Sequence, residues 1–244
     1  MTGRRLHAAL LLLAFGVGDC SPRAEPCLDG LPCRGPSGAP RPEAPLRDRG
    51  RTPAETMSYL GAPWLMRPER IEEEQPDRMI DALHIRPGMV VADIGAGVGY
   101  HALRLATKVG AEGRVYATDI QPEMLAMLRQ KLADHGVNNV VPVLSFDTTT
   151  GLSKGAIDLA LMVDVYHELS QPERFLLALK EALKPDGRLV LVEFRGEDPS
   201  VPIKEEHKMT AAQVIRELDA AGFGLVERQE FLPWQHILIF GRKR

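Results

Sequence analysis

The stretch that most constrains this chain is Met89 to Tyr100, MVVADIGAGVGY. Val90, Val91, Ala92 and Ile94 form a short, nearly continuous apolar run, which suits a strand buried on both faces of a parallel sheet. Gly95, Gly97 and Gly99 follow at alternate positions. Without Cβ atoms the chain can turn tightly there and a ligand can lie against bare backbone. A helix beginning near Tyr100 would aim its free N–H groups at that ligand.

Helix and strand patterns alternate on either side of this turn. Before it, Pro76 opens a helix with Met79, Ile80 and Leu83 on one face. After it, Leu103, Leu105, Ala106 and Val109 form a helical stripe closed by Gly110 and Gly113, and Arg114 to Thr118 reads as a strand with Asp119 at its carboxyl end. Pro122 opens the next helix, with Met124, Leu125, Leu128 and Leu132 on its buried face and Gly136 as its stop. Val140 to Leu144 is a third strand ending in Ser145-Phe146-Asp147, and Ile157 to Val163 is a fourth, emptying into Asp164-Val165-Tyr166-His167-Glu168-Leu169. Ser170 and Glu173 fit a capping box before a helix carrying Phe175, Leu176, Leu179 and Leu183. Lys184 to Gly187 reads as a turn into a fifth strand, Arg188 to Phe194, followed by a long polar loop from Arg195 to Met209. Thr210 and Gln213 make a second capping box before Val214, Ile215 and Leu218, and Gly222 ends that helix. Phe223 to Phe231 and His236 to Gly241 are two final strands, joined by a turn short enough for a hairpin. The alternation predicts an α/β, doubly wound sheet.

The third glycine discriminates between two cofactor classes. A dinucleotide fingerprint, G-x-G-x-x-G, needs a small residue where this chain has Tyr100. The pattern Asp93-x-Gly95-x-Gly97-x-Gly99 instead resembles the first motif of class I S-adenosylmethionine-dependent methyltransferases, and the resemblance spans about Gly88 to Phe240. It implies a Rossmann-like fold: a mostly parallel seven-stranded sheet with a C-terminal antiparallel hairpin strand. It also implies S-adenosyl-L-methionine as cofactor, held by Asp93, Gly95, Ala96, Gly97 and Gly99, with Asp119 on the ribose hydroxyls beside Ile120, and Asp147 near the adenine amino group. Asp119 has a plainer use as a cap for the helix opened by Pro122, and one carboxylate can serve both.

In an open α/β sheet, ligands bind beyond the carboxyl ends of the strands, so the unusual residues that follow each strand are expected to share one rim. Methyl transfer from a sulfonium needs an in-line nucleophile and often removal of a proton, and positioning supplies much of the rate. His167 is the candidate base, because an imidazole titrates near neutrality. Tyr166-His167-Glu168-Leu169-Ser170 resembles the His-containing segment of small-molecule O-methyltransferases, with Glu168 where their Asp stands. Asp164 and Glu193 are candidates to orient that base. Tyr166, Glu193, Arg195, His207, Trp234 and His236 are candidate substrate residues, with Arg195 either paired to Asp198 or clamping an anionic acceptor. For Trp64, anchoring the N-terminal segment in the core is favoured over stacking on substrate. His167, Glu168, His207, His236 and Asp164 also make a metal-capable set, but they lack the spacing of a zinc signature and no metal is expected. Two rivals remain: a cofactor-binding scaffold without turnover, and metal-assisted methyl transfer.

Net charge is −3 and no basic stripe with interleaved aromatics occurs, so the expected partner is a small-molecule methyl acceptor rather than nucleic acid. Arg4 and Arg5 precede an apolar run from Leu6 to Val17, the size of a signal-peptide core. Val17-Gly18-Asp19-Cys20 resembles a bacterial lipoprotein box, in which Cys20 would carry a lipid anchor, the one expected membrane link. Cys27 and Cys33 would then pair in an oxidising compartment, against a plainer alternative of three free thiols. Eight prolines and four glycines between Ser21 and Pro53 mark a linker. The expected organisation is therefore a signal segment over residues 1–20, a linker over 21–55 and a methyltransferase domain over 56–244. The expectation is export to the cell envelope, with a cytoplasmic enzyme as the alternative if translation starts near Met57.

Overall fold

The computed structural model describes residues 52–243, so the signal segment, the lipoprotein box, the three cysteines and most of the linker lie outside the described residues. The strands are β1 (Val90–Ile94), β2 (Arg114–Asp119), β3 (Val140–Leu144), β4 (Ile157–Val163), β5 (Leu183–Arg195), β6 (Lys208–Met209), β7 (Phe223–Gln229) and β8 (Gln235–Arg242). They form one sheet in the order β3-β2-β1-β4-β5-β8-β7, and the two-residue β6 pairs beside the end of β5. Pairing is parallel from β3 through β5, while β8 runs antiparallel to both β5 and β7. This is the expected α/β sheet with its antiparallel finish, extended by the small β6.

The helices are α1 (Ala62–Leu65), α2 (Arg70–Glu74), α3 (Pro76–Asp81), α4 (Ala102–Val109), α5 (Pro122–Asp134), α6 (Pro172–Ala182) and α7 (Ala211–Ala220). Met79 and Leu83, Leu105 and Val109, and Leu125 and Leu128 pack on one face of the sheet against Val91, Val115 and Leu161. Phe175, Leu176, Val214 and Leu218 cover the other face against Ala92, Ala160 and Leu191. The central strands are therefore apolar on both sides, which is why β1 and β4 read as runs rather than as alternations.

Three local expectations are corrected. The segment Lys184 to Gly187 is part of a long β5, whose register against β4 jumps from Ile157↔Leu183 to Leu159↔Arg188, so the expected turn is an excursion within the strand and not a break before it. Ser170 does not cap α6: its hydroxyl donates to Asp147 at 2.8 Å, and Gln171 occupies the cap position without a side-chain bond. Thr210 does cap α7, accepting from the Gln213 N–H at 3.1 Å, but the Gln213 amide turns to Glu217 and the box is not reciprocal. Just before Thr56, Ala54 is buried and its N–H donates to the His167 carbonyl at 3.1 Å.

Candidate active site

Strand order reverses between β1 and β4, and the residues beyond their carboxyl ends face a cavity of about 410 Å³. The register sets Ile94 beside both Thr118 and Met162, so the glycine turn emerges between Asp119 and the segment that follows β4. Gly95 (φ 68°) and Gly97 (φ 52°) both sit in the left-handed region and both line the cavity. A Cβ on Gly95 would lie 2.5 Å from Val165 Cγ2, and one on Gly97 3.2 Å from Leu65 Cδ1. Only glycine leaves this backbone open to a ligand.

Asp119 stands on the cavity wall, 6% exposed, and accepts the Gly97 N–H and the Gln121 N–H at 2.8 Å each. Burial raises its carboxyl above the ordinary value, against the pull of those N–H donors. Ile120, Met124 and Phe146 line the neighbouring wall, together with Asp147. Asp93, Ala96 and Gly99 do not line the cavity. The Ala96 N–H is taken by the Thr118 carbonyl at 2.9 Å, and Asp93 is buried behind the turn with Oδ2 unpartnered. Burial, then the charge of Asp119, pushes the Asp93 carboxyl up to about 7.

The opposite end of the cavity collects titratable groups. His167, 3% exposed, shares its Nδ1 with Glu193 Oε2 at 2.6 Å, and Glu193 is fully buried with Oε1 accepting the Tyr166 N–H at 2.9 Å. His167 Nε2 lies 3.1 Å from His207 Nδ1, on the loop between β5 and α7. Burial alone would lower the His167 imidazole, but the charge and hydrogen bond of Glu193 outweigh it and hold the ring above its ordinary value. Glu168 is pushed up to about 7, chiefly by burial, against the pull of His167. Asp164 has φ 53°, and its carboxyl is raised well above the ordinary value by burial and then by the charges of Glu74 and Glu193. Its Oδ2 accepts from the Gln235 amide at 2.7 Å, while Oδ1 is buried without a partner. Glu193 therefore orients His167, and Asp164 makes no bond to it.

Several residues predicted for the substrate are elsewhere. The Tyr166 hydroxyl bonds Glu217 at 2.9 Å, away from the cavity. The Arg195 guanidinium is committed to the Leu232, Pro233 and Gln235 carbonyls, with Glu230 at 3.6 Å, and neither pairs with Asp198 nor reaches the cavity. Trp234 lies off the cavity wall with its carbonyl accepting the Arg195 N–H, and His236 is fully buried with both ring nitrogens unpartnered. Trp64, by contrast, is 45% exposed on the cavity wall with Arg67 3.7 Å above its ring, so it is no core anchor. Two lining residues carry no motif. Arg70 and Glu74 form a buried two-bond ion pair at 2.7 Å, with Arg70 also stacked 4.0 Å over Tyr100. Their spacing of four on a short helix is the only sequence signal for the pair.

Residues 85–236, more than half of the chain, match the model of a family described as a methyltransferase domain. The chain belongs to that family. Among relatives of the domain, a protein-L-isoaspartate O-methyltransferase of Methanothrix thermoacetophila is 37% identical over 114 residues, 46% of this chain and 51% of the relative. A ubiquinone/menaquinone biosynthesis C-methyltransferase UbiE of Idiomarina loihiensis is 32% identical over 116 residues, 47% of this chain and 46% of the relative. The chain thus spans about half the length of the curated relatives it matches. Among solved structures, a SAM-dependent methyltransferase from Aquifex aeolicus is 27% identical, covering 76% of this chain and 98% of its own, with a TM-score of 0.72. The [4+2]-cyclase SpnF, at 17% identity and a TM-score of 0.59 over 68% of this chain and 81% of its own, shares the fold.

S-adenosyl-L-methionine is the cofactor that membership implies, and the residues present fit it. The turn leaves backbone bare at Gly95 and Gly97, where a Cβ would crowd Val165 or Leu65. Asp119 supplies a carboxylate whose roughly four acceptor sites are only partly used. The wall also carries Glu74, Asp164 and Glu168.

Proposed function

We propose that this domain transfers the methyl group of S-adenosyl-L-methionine to a hydroxyl of a small molecule, with His167 as general base and Glu193 as its positioning residue. The observation that carries this reading is the buried His167 Nδ1 to Glu193 Oε2 bond of 2.6 Å. A carboxylate on Nδ1 selects the Nδ1–H tautomer and keeps the Nε2 lone pair for a proton. In the present arrangement that lone pair meets His207 Nδ1 at 3.1 Å. An acceptor hydroxyl would replace His207 as donor, pass its proton to Nε2 and leave its oxygen facing the methyl group.

The cofactor supplies an electrophilic methyl on a sulfonium, so no covalent enzyme intermediate is required. In this proposal Asp119 accepts the ribose hydroxyls, Ile120 and Asp147 flank the adenine, and the bare turn at Gly95 and Gly97 lies along the cofactor. Asp164 Oδ1, buried without a partner, would accept from the ammonium end. Pro202, Ile203, Lys204 and His207 roof the cavity, which supports a small acceptor and exclusion of water. The relatives' names describe one O- and one C-methyl transfer. A basic imidazole on the cavity wall favours an acceptor with an ionisable hydroxyl.

The test is a screen of hydroxylated metabolites, with isoaspartyl peptides as a second panel, for methyl transfer from labelled cofactor. With the acceptor found, His167→Ala is expected to cut turnover by about 10²- to 10⁴-fold while cofactor affinity changes little. Unchanged turnover would remove His167 as the base, and labelling of the peptides alone would remove the small-molecule acceptor.

A further inference from the structure

The same wall of the cavity carries a second chemical possibility. His167, Glu168 and His207 each offer one ligating atom, and those atoms all lie within 4.8 Å of one another. We infer that these three side chains form a binding site for a divalent transition-metal ion of borderline softness, with Zn²⁺ as the representative probe.

Two imidazole nitrogens and one carboxylate oxygen are a donor set that suits zinc and its neighbours rather than magnesium or calcium, which prefer oxygen alone. In a tetrahedral site with bonds of about 2.0–2.1 Å, adjacent ligand atoms sit about 3.4 Å apart. His167 Nε2 and His207 Nδ1 are already 3.1 Å apart with rings crossed at 89°, so an ion entering there needs the two rings to separate slightly and turn toward it, and Glu168 to close from within 4.8 Å. Glu193, at 2.6 Å from His167 Nδ1, is the outer carboxylate that metal-bound histidines commonly have, fixing the tautomer that presents Nε2. Charge favours the same ligand. Glu193 and Glu168 face His167, while the Glu74 carboxylate is taken up by Arg70 and Lys208 pairs with Glu205. A fourth ligand would come from the cavity, which His167, Glu168 and His207 all line.

Such a site goes beyond the methyl-transfer proposal and does not depend on it. An ion on Nε2 occupies the lone pair that a base would use, so metal occupancy and base function exclude each other at His167.

Binding is therefore tested without any acceptor. The full chain, with Cys20, Cys27 and Cys33 replaced by Ser so that thiols cannot take up the metal, is stripped with chelator and titrated with ZnCl₂ by calorimetry. Elemental analysis follows gel filtration. The expected result is one Zn²⁺ per chain, with affinity reduced at least about tenfold in His207→Ala and in Glu168→Gln, and little affected by millimolar Mg²⁺. Cofactor affinity is measured in each variant, so that lost folding is distinguished from lost ligation. Absence of a stoichiometric ion, or equal affinity in a folded His207→Ala variant, overturns the inference. Failure of the methyl-transfer screen leaves it standing.

Discussion

In the proposed reaction a single carboxylate sets when His167 can take a proton. Because Glu193 holds the imidazole above its ordinary value, the neutral, proton-accepting form predominates only above that raised value, and the acid limb of the turnover profile is expected on the alkaline side of 6.5. Glu193→Gln keeps a hydrogen-bond partner and removes the charge. Burial then dominates, and the limb is expected to move toward acid; a pH profile of turnover reads this directly, and an unmoved limb would mean that Glu193 has no hold on the base. Asp119→Ala tests the other end of the cavity. Losing charge-assisted bonds worth about 1.5–3 kcal/mol each should weaken cofactor binding by about tenfold or more in calorimetry, with no change in the His167 limb. The placement of His167 and Asp119 on the cavity wall was legible in the sequence, because Asp119 ends β2 and His167 lies just past the end of β4, where the fold gathers its ligands. Arg195 and His236 misled for physical reasons. Arg195 follows β5, but the carbonyls of the β7–β8 turn take up its guanidinium, and His236 begins an antiparallel strand whose position opposite Glu193 buries it in the sheet. The role of Glu193 was legible only as one of two alternatives, because strand pairing decides whether it or Asp164 meets His167.

At the scale of elements, α2 is five residues long and exposes Ile71, yet it places Arg70 and Glu74 against the cavity. The pair is 6% and 3% exposed, so removing one partner leaves a buried charge without its counterion. Arg70→Ala is expected to destabilise the domain by about 3–5 kcal/mol, whereas the double change Arg70→Met with Glu74→Leu should recover most of that loss. Denaturant titration of the two variants checks both figures; equal destabilisation in single and double variants would show that the pair's packing on Tyr100 outweighs its charge. Helix and strand order from β1 to β8 could be read from periodicity, since each element alternates between an apolar run and a three-to-four-residue stripe. What escaped were contacts made across the chain. The Ser170 hydroxyl prefers Asp147, 23 residues away, over its own helix, and β5 starts early because an excursion within the strand lets Leu183 pair with Ile157. Local propensity contains neither partner.

For the whole molecule, the buried ionisable groups set how stability depends on pH. A carboxyl whose folded value lies above its unfolded one binds the extra proton in the folded state, so stability is full below the unfolded value and falls as pH climbs through the folded one. Glu168, raised from 4.5 to about 7, and Asp93, raised from 3.8 to about 7, both behave this way. His167, raised above 6.5, adds stability that is likewise lost as pH passes its folded value. His101, His207 and His236 are lowered by burial and act oppositely, gaining stability only up to their unfolded value of 6.5. The two sets oppose each other below 6.5, while above it these histidines contribute no further change and the raised groups, Asp164 among them, lose their contribution as pH climbs. The midpoint of denaturant unfolding is therefore expected to fall between about pH 6.5 and about pH 8.5, and to fall less steeply in Glu168→Gln. A midpoint that rises over this interval, or an equal slope in the variant, would show that these groups are not protonated in the folded domain as their burial requires. A folded state that weakens toward alkaline pH while the proposed base becomes competent would trade stability for activity at the wall where His167, Glu168 and Glu193 meet.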